Sequence, residues 1–385
     1  MFVEREAQNH TIKVGKCEKF CPANEYRLRV RERLIHKFES SKVKPYKFRS
    51  ETKTVQCIKS NFQSGFQLVK QFSRPAAGQK CPGPGDVRSP ECLVRCVSYL
   101  VTTVMQAEVA RTADLQDLYD FMFDRLRAVR QDMVLQAAVP ARDQLLILGV
   151  CVRFHVVMGH LLARHASFSA HLNSQHQLDC LKSCLLLQGA LEEPITSDTR
   201  ASLDALQCLY LLSNLDSTHA VNWAIHQPRS SGSLGNNHRA HIQLDIAPVS
   251  GLCLNIARSY REGNYVRFFK LVSRLPTLFL LAVFKYCKTL LGHTVSVNRL
   301  AYKSPNIKFP CDHLAKLLWV SRTSNLESYL RCQGFKVEGG FVWFGVTGDT
   351  SGDDVDKLAT DCFYERISNQ VPSDSLGKLL LSFNC

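Results

Sequence analysis

From Ser89 onward the sequence runs largely in helical period, which points to a mainly α-helical fold. The clearest stretch is 118–136, LeuTyrAspPheMetPheAspArgLeuArgAlaValArgGlnAspMetValLeuGln. Leu118, Phe121, Met122, Leu126, Val129 and Met133 recur at spacings of three and four, while Asp124, Arg125, Arg127, Arg130 and Asp132 load the other faces. Ser89 before Pro90 reads as a hydroxyl cap with proline at the first helical position. Helices are expected at 89–111, 114–137, 141–165, 174–189, 198–213 and 217–227. After a Ser/Gly/Asn loop at 229–238, further helices are expected at 250–261, 263–274 and 276–291. Long helices with short connections predict a stacked array of helix pairs, although no fixed-period repeat is present.

The last part changes character. Two short helices are expected at 310–318 and 322–333, and Gly334 suits a helix terminus. PheLysValGlu at 335–338 and PheValTrpPhe at 341–344 flank Gly339 and Gly340, the signature of a tight hairpin. With IleLysPhe at 307–309 as a first small strand, the order is that of a winged-helix domain. The fold expected is therefore all-α in the main, a tetratricopeptide-like or PCI-type array of stacked helical pairs followed by a small winged helix. The expected organisation is a basic arm over 1–60, a helical scaffold over 61–295, a winged helix over 296–346, and an acidic linker with a short amphipathic tail over 347–385.

At 385 residues, 45% hydrophobic and 21% charged, the chain can bury a sizeable core. The N-terminus lacks the apolar region of a signal peptide, and the apolar runs at 145–152 and 278–284 are too short to span a bilayer. A soluble intracellular protein is expected, with its 16 cysteines mostly reduced and buried. The net charge of +14 is concentrated at the start: residues 1–80 hold 18 Lys and Arg against 7 Asp and Glu. A helical candidate at 24–39 carries Arg27, Arg29, Arg31, Arg33 and Lys37 beside a narrow stripe of Leu28, Leu34, Ile35 and Phe38. Such an arm favours RNA, DNA or an acidic protein, or is a solvated face without a ligand.

Signatures of catalysis are lacking. No phosphate-binding glycine loop, dinucleotide fingerprint, nucleophile elbow or zinc-protease motif occurs. Cys17/Cys21, Cys92/Cys96 and Cys180/Cys184 share a CysxxxCys spacing that puts two thiols on one helical face, but structural zinc sites use tighter paired knuckles, so buried thiols are expected. His155, His160, His165, His171 and His176 follow no single face and read as surface or cap residues. No cofactor, metal or small-molecule substrate is expected. In the winged helix, Lys303, Lys308, Lys316, Arg322, Arg331 and Lys336 could meet phosphates, with Phe341 or Trp343 to stack on a base or, equally, to pack the wing.

Several segments, in order, resemble the Sac-three/GANP family. Residues 15–29 match its N-terminal motif through Cys17, Cys21, Pro22 and Glu25. ValLysGlnPheSerArgProAlaAlaGly at 69–78, with Phe72 and Arg74, and the helix at 118–136, with Asp120, Phe121, Arg125, Arg130, Asp132 and Gln136, are the most specific. LeuTyrLeuLeuSerAsnLeu at 209–215 and the run at 262–276 follow. The resemblance implies a non-catalytic scaffold. Long members organise a nuclear-pore-associated transcription and mRNA export complex, with a PCI-domain partner and a small acidic protein. This sequence ends soon after the winged helix, without Phe-Gly repeats, and so is more similar to the short, centrosome-associated members. A scaffold of centrosome duplication and spindle assembly in cytoplasm, centrosome and spindle is the resulting expectation. An mRNA-export adaptor in the nucleus, binding RNA, is the alternative, and no membrane contact is expected.

Overall fold

The computed structural model describes residues 14–40, 68–74, 81–106, 114–191, 195–226, 249–348, 352–371 and Leu380. They fall into two compact units, one of the described residues through Cys151 with 189–191 and Leu380, the other of 152–188 and the described residues from 195 to 371.

In the first unit, α1 (Ala23–Arg31) and α2 (Lys37–Ser40) precede α3 (Pro90–Tyr99) and α4 (Leu115–Val134). The expected single helix at 24–39 is broken in two, and Arg33 at the break has φ 59°. Its stripe fails in the same place: Leu28 and Leu34 are exposed, while Phe38 is buried. At α3 the Ser89 hydroxyl accepts from the Cys92 N–H and Pro90 takes the first helical position. The helix then widens into a π turn over Leu100–Met105. α4 buries Leu118, Phe121, Met122, Leu126, Val129 and Met133, the six apolar positions of its sequence period. Each large side chain so buried contributes about 1.5–3 kcal/mol of transfer free energy.

α5 (Ala141–Leu161) contains the boundary between the units. In the second unit, α6 (Ala170–Leu187), α7 (Ser197–Leu212), α8 (Thr218–His226), α9 (Val249–Arg261), α10 (Tyr265–Val272) and α11 (Thr277–Ala301) follow. Neighbours pack in sequence, α6 on α7, α7 on α8 and α9, α9 on α10, α10 on α11. The fold is thus mainly α-helical, an array of packed helices. α11 runs ten residues past its expected end, because Leu290, Leu291, Thr294, Val295 and Asn298 continue a buried face. Gly292 interrupts that period in the sequence, but in the fold it faces the Tyr329 hydroxyl, and a Cβ there would only reach ordinary contact at 3.6 Å. α5 and α11 are long and apolar enough to cross a membrane, unlike the short runs read from the sequence, yet 78% and 72% of their apolar windows are buried in the protein. They are core helices.

The small sheet closes this unit. β1 (Phe309–Pro310), α12 (Cys311–Leu317), α13 (Thr323–Cys332), β2 (Phe335–Glu338) and β3 (Phe341–Thr347) follow in the expected order, with β3 central and antiparallel to both neighbours. Gly339 and Gly340, at φ 57° and 79°, make the tight turn that needs two left-handed residues. Val342 and Phe344 point into the core. Within the stretch expected to be a short amphipathic tail, α14 (Val355–Ser368) packs against α11 and α13, burying Cys362, Phe363 and Ile367.

Candidate functional site

The first unit is organised around the strip 68–74, a segment outside any helix or strand. Its N–H groups are taken one by one. Val69 donates to Glu39 Oε1 at 2.9 Å, Lys70 to the Phe20 carbonyl at 2.9 Å, Gln71 to Glu25 Oε1 at 2.8 Å and Phe72 to Asp124 Oδ2 at 3.2 Å. Three of these four amides are satisfied by carboxylates, which accept more strongly than neutral oxygens. Burial raises the Glu25 carboxyl, against the opposing hydrogen bond from Gln71.

Two buried ion-pair groups hold the carboxylates. Glu39 pairs with Arg29, whose Nη1 also donates to the Val69 carbonyl at 2.9 Å, and with Arg125 at 3.4 Å; Arg125 pairs in turn with Asp124. Asp132 accepts from Arg88 Nε at 2.7 Å and from Lys70 Nζ at 2.7 Å, with Asp132 and Arg88 fully enclosed. Gln136 completes the frame: its Oε1 accepts the Gly15 N–H at 2.9 Å and its Nε2 donates to the Arg88 carbonyl at 2.8 Å. Buried charges are tolerated because each is paired and hydrogen-bonded.

The motif residues read from the sequence therefore divide. Cys17 and Cys21 are buried, and burial pushes the Cys21 thiol up to about 12. Pro22 caps α1 from outside its first turn. Phe121 is buried in α4, its ring under the Arg125 guanidinium. Asp120 is exposed and, among the described residues, accepts only from Gln116, so it stands outside the frame. Arg29, expected to present its charge to an anionic partner, is 1% exposed and committed to Glu39. Arg27 and Arg31 remain on the surface, as does Arg33, and Arg31 pairs with its neighbour Glu32. Lys70, Arg88 and Glu39 carry the frame yet bear no local signature, since their partners lie 62, 44 and 10 residues away.

A second surface lies on the wing. Lys308 sits over the Phe341 ring at 4.4 Å and Lys336 over Trp343 at 5.2 Å, so two aromatic rings and two cations share the outer side of the sheet. Lys336 also pairs with Glu338 at 3.2 Å. The helical cations are less available. Arg322 pairs with Glu365 of α14 at 2.8 Å, Lys316 with Asp312 at 3.4 Å and Arg331 with Glu327 at 3.2 Å. Further bonds tie α14 to the start of α13: Ser321 N–H donates to the Cys362 carbonyl at 2.7 Å, and Asn325 Nδ2 to the Asp361 carbonyl at 2.8 Å.

The histidines differ from expectation. His155 and His160 are buried, because the apolar helix α5 carries them into the core; His155 Nδ1 meets Asn173 Oδ1 at 2.8 Å and His160 Nε2 meets Ser368 Oγ at 2.9 Å. His165 and His171 are exposed. The thiols of Cys92, Cys96, Cys180 and Cys184 are buried, and among the described residues no three His, Cys, Asp or Glu side chains converge to hold a metal.

The SAC3/GANP family model matches residues 20–339, which takes in Arg29, the strip 68–74, Arg88, Asp132, Gln136 and the small domain up to β2, but not β3. This chain belongs to the SAC3/GANP family. It is 25% identical over 344 residues to SAC3 family protein 1 of Schizosaccharomyces pombe, covering 84% of this chain and 30% of that protein. It is 22% identical over 343 residues to Protein xmas of Drosophila melanogaster, covering 84% and 14%. SAC3 family protein B of Arabidopsis thaliana matches at 22% over 282 residues, covering 71% and 15%. The chain thus spans less than a third of the length of each of these SAC3/GANP relatives.

Proposed function

We propose that this SAC3/GANP chain is a non-catalytic adaptor acting in centrosome duplication, spindle assembly and mitotic progression. The observation that carries the adaptor reading is the use of the charged motif residues: Arg29, Arg125, Asp132 and Gln136 face inward and tie the strip 68–74, Gly15 and α4 into one frame. Residues spent on mutual neutralisation in this way stiffen a scaffold rather than stand ready for proton transfer. Its partners in this reading are proteins of the centrosome and spindle, a PCI-domain protein and a small acidic protein, and its places are the cytoplasm, the centrosome and the spindle. The centrosomal assignment rests on the resemblance of the sequence to centrosome-associated members of the family.

The experiment is imaging of the endogenously tagged protein through one cell cycle, beside a pericentriolar marker and a nuclear-pore marker. Interphase foci at the centrosome that pass to the spindle in mitosis support the proposal. A nuclear-rim signal without foci overturns it in favour of an mRNA-export adaptor in the nucleus. The wing favours that second reading, since Lys308, Phe341, Lys336 and Trp343 combine charge and aromatic surface suited to single-stranded RNA.

A further inference from the structure

α4 carries a surface that the charged frame does not use. Arg125 turns inward to Glu39 and Asp124, but Arg127 and Arg130 do not follow it. The Arg127 guanidinium lies 3.9 Å from the centre of the Phe72 ring and 6.0 Å from that of Phe123. Arg74, two residues beyond Phe72, is exposed, and Arg130 is half-buried one turn along α4 from Arg127. Gln131 Nε2 donates to the Ser73 carbonyl at 2.8 Å and so fixes this edge of the strip against the helix. Asp124, the nearest carboxylate, is already occupied by Arg125 and by the Phe72 N–H. No ion pair to Arg74, Arg127 or Arg130 is present among the described residues.

Three guanidinium groups thus meet on one surface, and among the described residues the one carboxylate acting on Arg127, Asp124, is already paired with Arg125. Burial, then the charges of Arg74 and Arg130, act against the proton on Arg127. Gathering like charges opposes folding. The Arg127 guanidinium held over the Phe72 ring is a planar fork, the group suited to receiving a carboxylate through two parallel hydrogen bonds.

We propose that the surface formed by Phe72, Arg74, Phe123, Arg127 and Arg130 binds an acidic peptide segment of a protein partner. Nucleic acid fits it less well. The Phe72 ring carries Arg127 and the Phe123 ring stacks on Tyr119 at 5.7 Å, so both rings are engaged rather than presented to a base. Three cations also fall short of the roughly six to ten phosphate contacts of a typical backbone-tracking protein. This inference gives the adaptor reading one partner chemistry and rests on it. Its failure is visible in vitro, whereas failure of the localisation would appear only in cells.

The test is fluorescence anisotropy of the full-length chain with two labelled probes, a ten-residue glutamate peptide and a ten-nucleotide uridine RNA, at two salt concentrations. Salt-sensitive peptide binding that weakens about tenfold or more in Arg127→Glu and in Arg130→Glu, and stays unchanged in Arg258→Glu, on an exposed arginine of α9, is expected. Arg127→Lys should lose several-fold, since it keeps the charge without the planar fork. Thermal unfolding of each variant reads folding separately, and Arg74→Glu, on an exposed side chain outside the helix, gives a variant with little risk to the core. Peptide binding unaffected by all three arginine reversals overturns the proposal. So does an RNA affinity that depends on these arginines and exceeds the peptide affinity.

Discussion

Arg88 Nε donates to Asp132 Oδ2 at 2.7 Å, and neither side chain reaches solvent. The pair joins the loop before α3 to the end of α4. Removing one partner of such a pair leaves the other charge buried, which costs about 3–5 kcal/mol. Asp132→Asn should therefore lower the melting temperature of the first unit sharply. Asp120→Asn, on the same helix but exposed, should change stability by no more than about 0.5 kcal/mol. Differential scanning calorimetry of the two variants checks both.

Gly15 approaches the chain more closely than any side chain permits. A Cβ there would lie 2.4 Å from the Arg88 carbonyl oxygen and 2.7 Å from that of Val87. Gly15→Ala should break the Gln136 hydrogen bond and free the N-terminal segment, seen as faster proteolysis at Lys13 and Lys16, the nearest basic residues.

Acid should loosen the second unit through His160. Burial, then the nearby Arg164 charge, pushes this histidine down to about 3, against an ordinary value of 6.5. Below pH 6.5 the unfolded chain takes up a proton that the folded chain refuses, so stability falls as pH drops toward 3, by at most about 1.4 kcal/mol per unit. Above 6.5 this residue adds no pH dependence. His160→Gln should flatten the slope between pH 6.5 and 4 in urea titrations. An unchanged slope would contradict the assignment.

Thiol reactivity should follow burial. Cys81 is exposed, whereas burial pushes the Cys92 thiol up to about 12, with the neighbouring Cys96 adding to it. Brief alkylation of the native protein, followed by mass spectrometry, should mark Cys81 well before Cys92, Cys180 or Cys184.

On the wing, Trp343→Ala and Lys336→Glu test the RNA reading. A stacked base contributes about 1–3 kcal/mol, so Trp343→Ala should weaken single-stranded RNA binding at least several-fold. Lys336→Glu should weaken it most at low salt. Affinity unchanged in both removes the wing from that role.

The helices were legible because burial on one face repeats at three and four, as α4 illustrates with six of six expected apolar positions buried. The hairpin was legible because Gly339 and Gly340 supply the two left-handed residues it needs. The frame was not. Arg27, Arg29, Arg31 and Arg33 look alike in sequence, and only Glu39 and the Val69 carbonyl, brought in from elsewhere, single out Arg29. At the end of the acidic run read as a linker, Asp354 accepts from the Asp356 and Lys357 N–H groups as the cap of α14, a role that its composition shares with a linker residue. His160 was misread because an isolated polar residue within an apolar helix looks the same whether its partner is water or Ser368.

The return of α14 onto α13 bears on what the wing could recognise. In a winged helix the second helix of the pair is the element that would enter a duplex groove and read base edges. Here its start is bonded to Asp361, Cys362 and Glu365, and its exposed end carries Arg331 paired with Glu327. With that helix engaged by the chain itself, a nucleic acid held by Lys308, Phe341, Lys336 and Trp343 would be sorted by strandedness, whatever its base order.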